Sequence, residues 1–214
     1  MRTVFSIVLL WVVALGTASA ESPKKILVVG DSLSAAYGID KQLGWVALLQ
    51  QRLEQNGSAY EVTNASISGD TTHGGLTRLP AALAYERPDI VVLELGANDG
   101  LRGFAPAQTQ ANLRAMIELA RTAGARVLLL GIKLPANYGR AFGEKFHQVY
   151  LDLADQQQVA LVPFFLEGVA ETRALMQADG IHPGAAAQPR ILDNVWAALE
   201  PLLSQPEVLQ AANP

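Results

Sequence analysis

The 214-residue sequence contains no cysteine, and only 17% of its residues are charged while 50% are hydrophobic. The absence of cysteine excludes a disulfide framework, a thiol nucleophile and every cysteine-ligated zinc or iron–sulfur site. Any covalent catalysis must therefore use oxygen or nitrogen. The low charged fraction and the high apolar fraction exclude a disordered chain, so we expect one well-buried domain.

Positive charge is also scarce. The chain has 16 lysine and arginine residues against 20 aspartate and glutamate residues, which gives a formal net charge of -4. Binding of nucleic acid without sequence preference requires a broad basic surface, and nothing in this composition supplies one. We therefore expect neither DNA nor RNA as a partner.

The longest apolar run lies at the N-terminus, where one arginine precedes residues Val4 to Leu15 and Ala18-Ser19-Ala20 follows. This order is typical of a secretory signal peptide with an A-x-A cleavage site. An uncleaved membrane anchor is the alternative, but it needs about 18–20 apolar residues. We expect residues 1–20 to be removed after Ala20, and residues 21–214 to form a single exported domain without stable membrane insertion.

Five short runs rich in leucine and β-branched residues alternate with helical patterns. The runs are nearly continuous in apolar residues, as expected of strands covered on both faces. They predict an α/β fold, a three-layer α/β/α sandwich around a five-stranded parallel sheet, with strand order 2-1-3-4-5. The predicted strands are Lys25–Gly30, Tyr60–Asn64, Asp89–Leu95, Arg126–Gly131 and Val159–Pro163, and the predicted helices span residues 43–56, 75–85, 106–123, 142–157 and 185–203.

Small polar segments follow the first three predicted strands. They are residues 30–34, 65–70 and 96–100, and a further polar segment, residues 179–183, precedes the last predicted helix. In an open parallel sheet, ligands bind beyond the carboxyl ends of the strands, so these segments are the first place to look for a site.

Each residue of interest in these segments has an ordinary structural interpretation. Ser32 has the character of a helix N-cap, Gly69 of a left-handed turn residue and Asn98 of an Asx-turn residue. Asp179 is a common turn cap, and His182, next to a proline, suits an exposed loop. No single segment therefore indicates a function.

Their combination is more specific, because it supplies one residue for each role in serine catalysis. Ser32 is the candidate nucleophile, placed by our prediction at a helix N-terminus, where the dipole favours negative charge. His182 is the candidate base and Asp179 the carboxylate that orients it. The backbone N–H groups of Ser32 and Gly69 and the amide of Asn98 are candidate donors for an oxyanion hole, and Gly69 permits close approach.

These motifs resemble the four blocks of the GDSL, or SGNH, hydrolases. The segments GDSLSAAYGI, NASISGDTTHGGLTRLP, ELGANDGLRGF, KLPANYG and ADGIHP resemble exported bacterial members along nearly the whole chain after residue 20. The resemblance implies esterase and thioesterase action on acyl substrates, no metal and no other cofactor. It also implies catalytic roles for Ser32, Asp179 and His182, and oxyanion-hole roles for Ser32, Gly69 and Asn98.

Apolar residues near these motifs are the expected walls of an acyl site: Leu101, Phe104, Leu134, Tyr138 and Ile181. We expect a periplasmic monomer that acts on small acyl esters or thioesters, and lysophospholipids suit an exported enzyme. Two alternatives remain open at this point. One is a carbohydrate deacetylase with the same catalytic residues, and the other is a non-catalytic flavodoxin-like binding module.

Overall fold

A five-stranded parallel sheet forms the centre of the computed structural model, which describes residues 23–204. The strands run in the order β2-β1-β3-β4-β5, and every neighbouring pair is parallel. This confirms the predicted sheet and its strand order. The strands are β1 (Lys24–Gly30), β2 (Tyr60–Asn64), β3 (Ile90–Glu94), β4 (Arg126–Leu130) and β5 (Ala160–Val162).

Helices cover both faces of the sheet and complete the predicted three-layer sandwich. One layer holds the first and last helices, which pack against each other, and the other holds the second, fourth and fifth helices side by side. The helices are α1 (Trp45–Gln55), α2 (Thr72–Glu86), α3 (Ala97–Leu101), α4 (Pro106–Thr122), α5 (Arg140–Gln157) and α6 (Gln188–Leu203). Short 3-10 helices span Lys41–Leu43, Ala136–Tyr138, Arg173–Leu175 and Ala185–Ala187.

The apolar runs of the sequence are buried in the centre of the sandwich. Residues 26–29 of β1 and 90–93 of β3 have no exposed surface. Trp45, the first residue of α1, is also fully buried and meets Phe165 edge-on at 5.7 Å between ring centroids. Burial on both faces explains why these strands are continuously apolar instead of alternating.

The segment around Ser32 differs from the prediction, because no helix begins there. Leu33 N donates to Asp31 Oδ1 and Ala35 N to Asp31 O, so the chain folds into consecutive turns. Ala36 then adopts a left-handed conformation with φ of 58°, and α1 begins only at Trp45. The expected helix dipole at Ser32 is therefore wrong.

The start of α2 and the segment after β3 also depart from the predictions. The helix α2 begins at Thr72 rather than Gly75, because the Thr71 hydroxyl caps it by accepting from Gly74 N at 3.3 Å. The segment after β3, predicted as a turn, forms the five-residue helix α3, which carries Asn98.

Residues 1–22 and 205–214 lie outside the described part of the chain, and the predicted signal peptide, residues 1–20, falls among them. Within residues 23–204, no helix combines the length and hydropathy required to cross a membrane.

Candidate active site

The polar segments singled out in the sequence meet at the carboxyl edge of the sheet. Ser32 follows β1, Gly69 lies between β2 and α2, and Asn98 is in α3 directly after β3. Asp179 and His182 lie in the loop between the 3-10 helices at Arg173–Leu175 and Ala185–Ala187. The fold thus brings together residues that are up to 150 positions apart.

Ser32, His182 and Asp179 form a continuous hydrogen-bonded row. The Ser32 Oγ lies 2.9 Å from His182 Nε2, and His182 Nδ1 lies 2.7 Å from Asp179 Oδ2. Because a carboxylate only accepts, the imidazole proton belongs on Nδ1, which leaves Nε2 free to accept from the serine hydroxyl. The arrangement has the geometry of a nucleophile, a base and an orienting carboxylate.

Asp179 is fixed by its own loop as well as by the imidazole. Its Oδ1 accepts the backbone N–H groups of Ile181 at 2.9 Å and of His182 at 3.0 Å. The backbone N–H of His182, its side chain and then the N–H of Ile181 hold the pKa of Asp179 well below its usual range. The Asp179 carboxylate is therefore ionised at neutral pH, where it can stabilise a protonated imidazole.

Two residues that the sequence reasoning missed support the histidine. The Gln177 amide donates to Tyr37 O at 2.7 Å and to Pro183 O at 3.0 Å, which joins the histidine loop to the loop after Ser32. The Tyr37 ring lies against His182 with 4.5 Å between ring centroids. Tyr37 lies within the GDSLSAAYGI segment and Gln177 directly precedes ADGIHP, so these positions were the available signal.

Asn98 is held by two acceptors near the nucleophile. Its Nδ2 donates to Asp31 Oδ2 at 3.0 Å and to the carbonyl of Asp70 at 2.9 Å. Both N–H bonds of the amide are thus directed at protein acceptors, one beside Ser32 and one beside Gly69. A substrate oxygen at this position would share these hydrogens in three-centre bonds.

The other candidate donors are backbone N–H groups. Within residues 23–204, the N–H groups of Ser32 and Gly69 have no acceptor. Gly69 has φ of 80° in the turn closed by Asp70 N and Ile67 O, and a Cβ there would meet no protein atom within 4 Å. Glycine is therefore favoured by the left-handed backbone of the turn, and the close approach of a substrate expected from its missing Cβ stays a prediction.

Asp31 and Asp99, two acidic residues next to Ser32 and Asn98, are buried and hydrogen-bonded. Burial raises the pKa of Asp31 to about 6, although Leu33 N and the Asn98 amide stabilise the carboxylate. Asp99 accepts from the backbone N and hydroxyl of Thr72 and so ties α3 to the first turn of α2.

A third buried acid, Glu94, lies beneath the nucleophile turn and accepts from Ser34 Oγ at 2.7 Å. Burial and the neighbouring Asp31 raise the pKa of Glu94 well above its usual range. Two acidic groups thus lie under the Ser32 turn in an environment that disfavours their ionised forms.

A cavity of about 560 Å³ opens beside Ser32, Asn98 and His182. Three of the expected wall residues, Leu101, Leu134 and Ile181, line it. Phe104 and Tyr138 do not line it, although both lie near the motifs in sequence. The sequence reasoning missed the other wall residues, which are mostly apolar: Leu33, Ala97, Ile132, Pro135, Ala136, Phe164, Leu166, Ala170 and Met176. Gly180 and two charged residues, Lys133 and Glu171, complete the lining.

The predicted acyl wall is therefore corrected at two positions, because Phe104 and Tyr138 lie outside the cavity lining. The Phe104 N–H closes a turn onto Asp99 O after α3, and the residue is 37% exposed. Tyr138 ends the 3-10 helix Ala136–Tyr138, beyond the Pro135 and Ala136 positions that do reach the cavity.

Among the described residues, no group of three histidine, aspartate or glutamate side chains could hold a metal ion. His147 Nδ1 faces the carbonyl of Ile132 at 3.2 Å, and burial lowers its pKa. His73 is exposed on α2.

Comparison with known proteins identifies a matching family and similar hydrolases. The model of the GDSL-like lipase/acylhydrolase family matches residues 28–189. Esterase TesA of Pseudomonas aeruginosa is 64% identical over 178 residues, which are 83% of this chain and 89% of that protein. Thioesterase 1/protease 1/lysophospholipase L1 of Escherichia coli K12 is 46% identical over 188 residues, 88% of this chain and 89% of that protein.

A solved structure is similar throughout its length. The psychrotrophic esterase EstA from a Pseudoalteromonas species, inhibited by monoethylphosphonate, superposes with a TM-score of 0.81 at 40% identity. The match covers 85% of this chain and 100% of that one. The family match includes every motif residue that meets at the carboxyl edge of the sheet. The chain therefore belongs to the GDSL-like lipase/acylhydrolase family.

Proposed function

We propose that this protein is a serine esterase and thioesterase that hydrolyses acyl substrates through an acyl-enzyme on Ser32. One observation carries the proposal: the row of Ser32, His182 and Asp179, with contacts of 2.9 and 2.7 Å, lies at an apolar cavity of about 560 Å³. The hydrolase names of the two relatives also favour an enzyme over a binding module.

Acylation follows from the direction of these hydrogen bonds. The Ser32 Oγ attacks the carbonyl carbon of the substrate while His182 Nε2 takes the hydroxyl proton. The imidazolium that forms is stabilised by Asp179, which accepts from Nδ1. When the tetrahedral intermediate collapses, Nε2–H donates its proton to the leaving alcohol or thiol, and the acyl group stays on Ser32.

Negative charge on the carbonyl oxygen is stabilised by three donors in this proposal. They are the N–H groups of Ser32 and Gly69 and the amide of Asn98, which are fixed before substrate arrives. Deacylation repeats these steps with water. His182 takes a proton from the water molecule while the water oxygen attacks the acyl carbon. Ser32 then leaves with a proton from Nε2, and the carboxylic acid is released.

The cavity favours an acyl chain over an acetyl group. An acetyl ester would fill little of the apolar space between Leu134, Phe164 and Ile181, whereas each buried methylene contributes about 0.8 kcal/mol. This disfavours the carbohydrate deacetylase alternative. We include lysophospholipids among the substrates, because their single acyl ester would place an apolar chain in the cavity and leave the polar headgroup outside.

The test combines labelling with a series of chain lengths. A fluorophosphonate should label the wild-type protein, and mass spectrometry should locate the adduct on Ser32, whereas the Ser32→Ala variant should stay unlabelled. Hydrolysis of p-nitrophenyl esters should favour octanoyl over acetyl substrates. An adduct at another residue would overturn the assignment of the nucleophile, and a preference for acetyl esters would restore the deacetylase alternative.

We further propose that residues 1–20 are an export signal, that residues 21–214 form the mature single domain, and that this domain is a periplasmic monomer. The order of charged, apolar and small residues before Glu21 supports the first two points. N-terminal sequencing of protein from the periplasmic fraction should begin at Glu21, and size-exclusion chromatography with light scattering should give a monomer mass.

A further inference from the structure

Arg78, in the second turn of α2, binds three acceptors in two connections at the carboxyl edge of the sheet. Its Nε donates to Asp70 Oδ2 at 2.8 Å, its Nη1 to the carbonyl of Ala65, and its Nη2 to the carbonyl of Gly30 at 3.3 Å. The arginine side chain is 22% exposed and the Asp70 side chain 12%, so the ion pair is largely shielded from solvent.

These acceptors lie next to the reaction machinery proposed above. Gly30 is the last residue of β1, two positions before Ser32, and Asp70 directly follows Gly69. Ala65 is the first residue after β2. A single planar guanidinium therefore fixes the loop that carries the nucleophile and the loop that carries the Gly69 N–H in one arrangement.

The contacts continue from Asp70 to Asn98. The backbone carbonyl of Asp70 accepts from Asn98 Nδ2 at 2.9 Å, so the position of Asp70 sets one of the two contacts that orient this amide. The other oxygen of the Asp70 carboxylate accepts from Thr71 N at 2.9 Å. It lies so close to Gly74 that a Cβ at that position would overlap with it.

We propose that Arg78 is a positioning residue for the oxyanion hole: by holding Asp70, it sets the Gly69 N–H and the Asn98 amide relative to Ser32. The inference rests on the proposed serine esterase function. Arg78 neither lines the cavity nor hydrogen-bonds to the catalytic row, so its effect on catalysis must pass through its acceptors, of which Asp70 is the one next to Gly69. Lysine, a single point charge, cannot reproduce a planar fork that reaches three acceptors.

The first test measures kcat and KM of Arg78→Gln and Arg78→Lys with an octanoyl ester. A misplaced donor costs roughly 10-fold to 100-fold in rate, so kcat of Arg78→Gln should fall by that factor with KM changed less than about threefold. Arg78→Lys, which keeps the charge, should lie between it and the wild type. A matched control is Arg52→Gln, because Arg52 pairs with Asp193 at 2.7 Å on the opposite helical layer. Its kcat should be unchanged.

The second test separates positioning from a general loss of structure. In the Asn98→Ala background, Arg78→Gln should lower kcat by a clearly smaller factor than in the wild type, because one of the two donors that Arg78 positions is already gone. Losses that multiply in full would overturn the inference. Gly74→Ala, which pushes the same carboxylate from the other side, should show the same dependence on Asn98. Urea unfolding of every variant identifies those that fail to fold. If Arg78→Gln fails to fold, Arg78→Lys and Gly74→Ala provide the test.

The outcomes also distinguish this inference from the proposed function. A wild-type protein without esterase activity and without a phosphonate adduct on Ser32 would overturn both. If the wild type is active and both Arg78 variants keep a kcat within threefold of it, the positioning role alone is overturned.

Discussion

Asp179 holds His182 with both of its carboxylate oxygens. Its Oδ2 lies 2.7 Å from Nδ1 of the imidazole, and its Oδ1 accepts the backbone N–H of the same histidine at 3.0 Å. The ring and the backbone of the base are thus bound by one group, on a loop whose residues 178–181 are exposed. This double contact distinguishes Asp179 from a surface carboxylate that happens to meet a histidine.

Replacement of Asp179 by asparagine should be at least as damaging as replacement by alanine. The N–H groups of Ile181 and His182 both point at Oδ1 and would select the amide oxygen, which leaves Nδ2 facing the imidazole. The imidazole must then accept at Nδ1 and carry its proton on Nε2, where it cannot accept from Ser32. We expect kcat to fall by about 10³–10⁴. An asparagine variant close to wild type in steady-state assays would contradict this orientation.

Replacement of Asn98 by alanine should lower kcat by about 10²–10³, since one oxyanion donor contributes about 3 kcal/mol to transition-state stabilisation. The control is Asn112→Ala, because Asn112 donates to Thr72 Oγ1 at 2.9 Å and does not line the cavity. Its kcat should stay within about twofold of wild type. A loss of less than threefold for Asn98→Ala would remove this amide from the oxyanion hole.

Filling the cavity at Leu134 should shorten the preferred acyl chain. Leu134→Phe adds bulk to the wall, and excluding two methylenes removes about 1.6 kcal/mol of burial, or roughly tenfold in rate. The ratio of kcat/KM for octanoyl and butyryl esters should fall by about that factor. Tyr138→Ala and Phe104→Ala, which change residues outside the cavity lining, should leave the ratio unaltered. Equal effects of all three substitutions would show that the ratio does not report on this cavity.

Asp31 should make stability depend on pH in a predictable direction. Its pKa is raised to about 6 by burial, whereas an unfolded aspartate titrates at about 3.9. The folded protein therefore binds the extra proton between these values, and the stability present below about pH 4 is lost as pH rises through 6. Relative to Asp31→Asn, the free energy of unfolding of the wild type should decrease by about 1–3 kcal/mol between pH 4 and 7. Urea titrations at both pH values measure this, and a constant difference would refute it.

The sheet and the meeting of the loops after its first three strands could be predicted from the sequence because both depend on strong local patterns. Continuous apolar runs identify buried parallel strands, and the rule that sites lie at their carboxyl ends brings Ser32, Gly69 and Asn98 together. The absence of a helix at Ser32 could not be predicted from such patterns. Its absence depends on Asp31 accepting from Leu33 N and on the left-handed Ala36, which no periodicity reveals.

Long-range contacts account for most of what the sequence did not reveal. Arg78 stands on a helix, where an arginine ordinarily indicates a solvated face, and its acceptors Ala65 and Gly30 are backbone atoms that carry no sequence signal. The acyl wall was only partly predicted, because residues next to the motifs were chosen. Phe164 and Leu166 follow β5 at the same sheet edge, so the rule that identified the catalytic loops would also have found them.

The contact between Ser32 and His182 joins residues 150 positions apart, one just after the first strand and the other just before the last helix. A chain that is synthesised or translocated from its N-terminus exposes its nucleophile long before its base exists in folded form. The catalytic pair is completed only when the final segment packs onto the sheet. A chain that is only partly synthesised or translocated therefore cannot hydrolyse esters, and the onset of ester hydrolysis reports complete folding.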